Sequence, residues 1–447
     1  MQIRVFRSGE GDCLLITGSS GKHILVDGGI PVAYKNHWVG TVGALRKQGK
    51  PLDLVCISHI DRDHIGGILR MLDNEVAWRV HNFQSGLPAS PRRRRPKRPK
   101  LERPPKIKAI WHNAFLEEVR RERVGGSGNG ATSPDLADVF FRNATIMAGA
   151  GEALVADRLQ FLGQSVGDAI EVSRRIGTRQ LKIDHNPEFG GGFVLRPADG
   201  ASFDVADMKI KVLGPTASEM EELRTEWNKW LDEKAAYLTR LQKKHDRDAA
   251  RLRLAEPADV LAMVRETALG LAGNQDVTPP NLASIIMLVR DGNDSILLTG
   301  DADDPSIRDG LKAAGELDGN GQARVRAFKV PHHGAHNAYS NELARTVVAD
   351  DYIFSGNGKH DNPEPDVIDG YLKVLLEGAG GEPAALPDGL RPTFWFNCGP
   401  ELADTDELRK HWDKVGKVLQ KWQAKKPNRF RHKLMRAGDS VLLPEPG

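Results

Sequence analysis

Short apolar runs broken by turn residues fill the first 58 positions. Met1-Gln2-Ile3-Arg4-Val5-Phe6 begins a strand at once, Leu14-Leu15-Ile16 and Ile24-Leu25-Val26 follow, and Leu52 to Ile57 reads as a buried strand. This series predicts the first sheet of a layered α/β domain. Strand character returns at Ile107 to Trp111, at Phe193 to Leu195 and at Met208 to Leu213, and Ala283 to Phe354 carries a second sheet. Helical periodicity marks Ser133 to Arg175 and Thr216 to about Ala255. The second of these opens with Ser218 and Glu221, the spacing of a capping box. Its sparse stripe of Met220, Leu223, Trp227, Trp230, Leu231, Leu238 and Leu241 suits core docking, or pairing with a partner or a second copy as a homodimer. A further helix, Pro257 to Leu271, follows, and the tail holds a helix from about Asp404 to Ala424 and a last strand near Lys433 to Leu443.

The pattern predicts one domain over residues 1–447 with a loop inserted at 84–106, helical insertions at 133–185 and 216–273, and a C-terminal helix and strand in 401–447. The inserted loop contains Arg92, Arg93, Arg94, Arg95, Lys97, Arg98 and Lys100 among prolines, with no apolar residue from Pro91 to Lys100. It cannot join a core and is expected to be exposed. Three functions suit it: a phosphate-binding patch, a solvated linker, or a protease-sensitive mask over the active-site cleft whose cutting by an activating protease releases activity.

Net charge is only +3 over 447 residues, which excludes a uniformly cationic coat and leaves room for a local basic patch. The three cysteines, Cys13, Cys56 and Cys398, are widely spaced and suit small buried hydrophobes in a reducing, cytoplasmic setting. No stretch approaches the roughly 18 apolar residues of a membrane span, so no membrane association is expected.

Chemistry concentrates in Ser58-His59-Ile60-Asp61-Arg62-Asp63-His64-Ile65-Gly66-Gly67, directly after the buried strand. Imidazoles and carboxylates so close together suit zinc, manganese or iron better than thiolate-seeking metals, with the ligands in a loop and a helix from about Gly67. Helix capping alone needs one carboxylate and no histidine.

The segment resembles the His-x-His-x-Asp-His signature of the metallo-β-lactamase superfamily, with Asp61 in place of the second histidine. Followed by Gly66-Gly67, this form is similar to the ComEC-like hydrolase branch, as are Gly9-Glu10-Gly11-Asp12-Cys13, Val26-Asp27-Gly28-Gly29, Leu297-Leu298-Thr299-Gly300-Asp301 and Pro331-His332-His333-Gly334. The resemblance implies an αββα sandwich and a soluble, stand-alone metallohydrolase, most readily a DNA nuclease using a binuclear centre and metal-bound hydroxide. Position by position it assigns His59 and Asp61 to a first metal, Asp63 and His64 to a second, and Asp301 as the bridge. His112 is the candidate third ligand of the first site. His332 and His333 match the paired histidines, one for metal and one for the scissile phosphate. His360 stands where the branch has a histidine before proline, although Asp361 and Asn362 intervene before Pro363.

Two ions about 3.5 to 4 Å apart hold a nucleophile in line with phosphorus and stabilise the departing oxygen. Asp63 is then expected to orient water, and His333 or His360 to protonate the leaving alkoxide. The Asp61 carboxylate adds negative charge, so manganese competes with zinc, and magnesium is also compatible. The alternatives are a small-molecule hydrolase acting on an ester, lactone, lactam or cyclic nucleotide, and a catalytically weak interaction module.

Overall fold

The computed structural model describes residues 1–88, 97–113, 168–169, 171–205, 207–221 and 284–444. Strands β1 (Gln2–Phe6), β2 (Leu14–Thr17) and β3 (His23–Val26) form an antiparallel meander. A helical run opening at Pro31 ends in α1 (Val39–Lys47) and leads to β4 (Leu52–Ile57), which lies parallel to β3. Every residue of β4 is buried, as its largely apolar sequence suits in a strand covered on both faces, and the one charged residue, Asp53, accepts from His23 N at 3.0 Å and Lys108 Nζ at 2.6 Å. After α2 (Arg62–Ser85), β5 (Ile107–His112) and β6 (Asp184–His185) extend the sheet in parallel.

The second sheet begins with β7 (Ser202–Val205) and β8 (Met208–Gly214), and continues through β9 (Ile286–Asp291) and β10 (Asp294–Leu298). Helix α3 (Asp304–Ala313) then crosses to β11 (Ala323–Lys329), α4 (Asn341–Thr346) to β12 (Val347–Phe354), and α5 (Pro365–Leu376) to β13 (Thr393–Phe396). Helix α6 (Asp406–Lys425) is followed by β14 (Arg431–Leu434) and β15 (Ser440–Leu443). The sheets have seven and eight strands, in the orders β15-β1-β2-β3-β4-β5-β6 and β14-β13-β12-β11-β10-β9-β8-β7.

Between the sheets, Ile3, Val5, Leu54 and Trp111 meet Met287, Val289, Ile296 and Ile353. The outer face of the first sheet packs on α1 and α2 through Leu25, Val55, Val42 and Ile68, and that of the second on α3 to α6 through Phe328, Phe354, Tyr371 and Trp412. The result is the expected helix, sheet, sheet, helix sandwich.

Several local expectations change. Helix α2 starts at Arg62, so Asp63 and His64 stand in its first turn instead of in a loop. It also runs into the range expected to be loop, and residues 101–106 are pinned to it: Trp78 Nε1 donates to the Leu101 carbonyl at 3.0 Å, and Arg103 pairs with Glu75 at 2.7 Å. Within 133–185, residues 168–169 and 171–176 are helical, but the range ends in strand β6. Phe193 to Leu195 is not a strand; Phe193 and Leu195 pack against Met220. The capping box belongs to Thr216 and Glu219, whose mutual bonds are 2.6 Å and 3.2 Å, two residues before the pair read from sequence. The stripe from Leu223 to Leu241 and the helix Pro257 to Leu271 lie outside the described residues. The single C-terminal strand is two: β14 joins β13 in one sheet and β15 joins β1 in the other.

Candidate metal centre

The site assembles at the carboxyl ends of β3, β4, β10, β11 and β12, with Asp12 supplied by the β1–β2 turn. Close backbone approach sets its floor. A Cβ on Gly67 would lie 1.9 Å from the Gly28 carbonyl oxygen, and one on Gly11 would lie 1.8 Å from that of Asp63. Only glycine lets these turns meet the start of α2. Asp61 occupies the N-cap position but makes no side-chain cap, so its carboxylate is left for other work.

Asp301 is the centre of the cluster. His59 Nε2 lies 3.7 Å from its Oδ2, His332 Nε2 3.7 Å and His333 Nε2 3.3 Å, while His64 Nε2 lies 3.3 Å from its Oδ1. Asp63 Oδ2 stands 3.4 Å from His333 Nε2 and 3.8 Å from His64 Nε2, and Asp61 Oδ2 stands 3.6 Å from His59 Nε2. Asp12, His64, Asp301 and His333 each place a ligand atom within 4.8 Å of the others.

Asp12 is nonetheless an orienting group. Its Oδ2 accepts from Lys329 Nζ at 2.5 Å, and its Oδ1 accepts from Ser355 Oγ and faces His333 Nδ1 at 3.2 Å. Asp27 does the same for the other ring. It accepts from Ser58 N at 2.8 Å and Ser58 Oγ at 2.7 Å, and stands 2.9 Å from His64 Nδ1. Its backbone is left-handed at φ 56°, a strained conformation held by these bonds.

This geometry fits a divalent cation. With Nδ1 donating to an aspartate, the Nε2 atoms of His64 and His333 turn lone pairs toward each other across 3.3 Å and toward two carboxylates. His59 Nε2 and Asp301 Oδ1 are buried without any hydrogen-bond partner. Acceptors facing acceptors at this depth are costly unless a cation or added protons intervene. Burial lowers the pKa of His64 and His333, but the surrounding carboxylates, Asp301 first, outweigh it and hold both well above the usual range. Burial raises Asp301, and His333, His64 and His332 overcome it, leaving the carboxyl well below its usual range. Asp12 and Asp63 are likewise raised by burial and brought below the ordinary value, Asp12 chiefly by Lys329 and Asp63 chiefly by His64.

His112 ends β5, opposite Ile57 at the end of β4. Neither of its ring nitrogens has a hydrogen-bond partner among the described residues, and burial, helped by His185, pushes its pKa down to about 3, so it stays neutral as a ligand must. His360 is not brought into the cluster. It is 60% exposed and lies 3.5 Å from Glu10, whose other oxygen takes Lys359 at 2.9 Å. Arg92 to Arg95 lie outside the described residues. Arg98 sits over the Trp78 ring at 5.2 Å, about 21 Å along α2 from His64, while Lys97 and Lys100 are exposed. The described end of the basic loop therefore stands away from the centre.

Asp12, Asp27 and Lys329 were not singled out as functional from sequence. Asp12 and Asp27 lie inside quoted motifs, Asp12 beside Gly11 and Asp27 before paired glycines. A lysine closing a strand just before Pro331-His332-His333 was the available sign for Lys329.

Residues 7–127 match the family model described as the metallo-beta-lactamase superfamily. The sandwich is a metallo-β-lactamase fold. The matched segment carries Asp12, Asp27, the His59–His64 cluster and His112, and stops short of Asp301 and the paired histidines. No curated protein matches the chain. Among solved structures, Zn(2+)-bound PqqB from Methylobacterium extorquens is similar at 9% identity over 99% of both chains, with a TM-score of 0.30, a likeness too distant to carry an inference.

Proposed function

We propose that this metallo-β-lactamase-fold protein is a metal-dependent phosphodiesterase acting on DNA. The observation that carries the metal chemistry is the convergence of His59, His64, His332 and His333 on the single carboxylate of Asp301, whose Oδ1 is buried without a hydrogen-bond partner among the described residues. The phosphodiester reading rests on the resemblance to the ComEC-like branch and on the carboxylate-rich donor set created by Asp61.

His59, Asp61 and His112 would hold one ion, Asp63, His64 and His333 a second, and Asp301 both. Asp12, Asp27, Asp61, Asp63 and Asp301 bring a negative charge each, and Lys329 offsets one, so two divalent ions, zinc or manganese, suit the balance. A divalent ion there supplies Lewis acidity toward a phosphoryl oxygen and makes water a usable nucleophile near neutral pH. The remaining work belongs to the chain. Asp63 orients the attacking water, and Asp12 and Asp27 fix the rings of His333 and His64. His332 is the more open of the paired histidines, its side chain 22% exposed against 4% for His333. We assign it to the leaving oxygen on the strength of that exposure; burial lowers its pKa, so the ring is a stronger acid when protonated.

The test is incubation of the purified chain with plasmid, linear and single-stranded DNA and manganese, magnesium or zinc, beside Asp63→Ala and Asp301→Ala. Cleavage lost in both variants is expected. Equal cleavage by all three proteins, or hydrolysis of lactones and esters with DNA untouched, would overturn the reading.

A further inference from the structure

Helix α6 buries His411, Trp412, Val415, Leu419 and Trp422 and turns a different set of residues outward. Lys410, Lys414, Lys417 and Lys421 are exposed and, at 100° per residue, fall within about 60° of arc over about 16 Å of helix. Lys421 is tied to Asp369 at 2.8 Å, while Lys410, Lys414 and Lys417 form no ion pair among the described residues. The positive run continues beyond the helix. From Lys414 to Gly438 the chain has nine Lys and Arg and no Asp or Glu, although the whole protein carries only +3. That stretch, from α6 into β14, is thus strongly positive, and the rest of the chain taken together is net negative.

We propose that this face of α6 is a docking track for the phosphate backbone of duplex DNA. The inference rests on the phosphodiesterase reading and adds where the substrate lies. Duplex DNA presents a negative charge about every 1.7 Å, and a straight cationic stripe matches a straight polyanion. An anionic membrane is the poorer match: among the described residues the exposed large hydrophobics are Val32, Val80 and Phe83, none on α6, so the helix has no apolar edge to insert.

The track also leads to the centre. Trp412 Nε1 donates to the Asn357 carbonyl at 3.1 Å, and His411 Nδ1 lies 3.7 Å from Asp361, so α6 packs on the turn that carries Lys359 and His360. Those two side chains meet Glu10, next to Gly11, where a Cβ would lie 1.8 Å from the Asp63 carbonyl oxygen. A strand lying along the lysines would pass over this rim.

The experiment measures anisotropy of a short labelled duplex with the full chain in chelator, across a salt series, for wild type and for Lys410→Gln/Lys414→Gln/Lys417→Gln. Thermal melting checks that the variant is folded. The expected result is a loss of at least about tenfold in affinity and a log–log salt slope shallower by about 2.7, about 0.9 for each phosphate no longer neutralised. Hydrolysis of bis(p-nitrophenyl) phosphate should be unchanged. Equal affinity and slope in the two proteins would overturn the track, as would lysine-dependent binding to phosphatidylserine vesicles without binding to the duplex. Lysine-dependent duplex binding in a chain that hydrolyses no phosphodiester would uphold the track and remove the phosphodiesterase reading instead.

Discussion

His64 and His333 present Nε2 to the same space, and each has an aspartate behind Nδ1, yet the two aspartates differ in what backs them. Asp27 is held by the amide and hydroxyl of Ser58, both neutral donors, and keeps its negative charge. Asp12 is held by the buried ammonium of Lys329, so the pair is close to neutral. A carboxylate behind a ligating imidazole raises its basicity as well as fixing its orientation. The first effect should be strong at His64 and muted at His333, while the second is common to both. Two imidazoles of similar setting thus differ in electrostatic strength, and His333, backed by the Asp12–Lys329 pair, would be the weaker hold on the ion it shares with His64.

The largest effect should come from Lys329→Met. Removing one partner of a buried ion pair takes away the closest cation to Asp12 and leaves it only His333 at 3.2 Å, and a loss of about 3–5 kcal/mol is expected in urea unfolding of the metal-free protein. A loss below about 1 kcal/mol would show that Asp12 carries no charge needing neutralisation, and the contrast would collapse. Next come Asp27→Asn and Asp12→Asn, compared by titration against a chromophoric chelator. Asp27→Asn should weaken metal binding about 10–100-fold. Asp12→Asn should weaken it less while costing more stability, because Lys329 then keeps only the Gly300 carbonyl at 3.2 Å and Asp301 at 4.0 Å; equal losses of affinity would show that orientation alone matters.

The smallest effect concerns the third ring, His112, which has nothing behind either nitrogen. Its folded pKa of about 3 lies below the ordinary 6.5, so the unfolded chain takes up a proton first as pH falls. Its contribution to stability is present above pH 6.5 and is lost as pH falls toward 3. Between pH 7.5 and 5.5 this amounts to about 1.4 kcal/mol. Denaturation of metal-free His112→Gln should show that much less acid sensitivity than wild type, and parallel curves would mean that the ring is already solvated.

The layered architecture was legible because buried strands leave runs that are almost wholly apolar. Leu52–Ile57 needed no other signal. The ligand candidates His59 to His64 were legible because they are contiguous. Their supports were not, since Asp12, Lys329 and Ser355 meet only through the fold, and no local pattern separates a buried lysine from an exposed one. Helix ends failed for a related reason. Thr216 and Ser218 both precede a glutamate by three residues, and hydrogen bonding selects Thr216. The final strand was read as one because only Met435 to Asp439 separate β14 from β15, and nothing local shows that their partners lie in different sheets.

That division of the final strands has a consequence for the time course of folding. Ile3 is paired with Leu443, so β1 waits during synthesis until β15 has been made. Until then β1 presents an open edge, the kind of surface that recruits other chains. Pairings so distant in sequence form slowly, and crowded nascent chains aggregate through them. Synthesis of β15, more than formation of the metal centre, should set how long this protein is vulnerable.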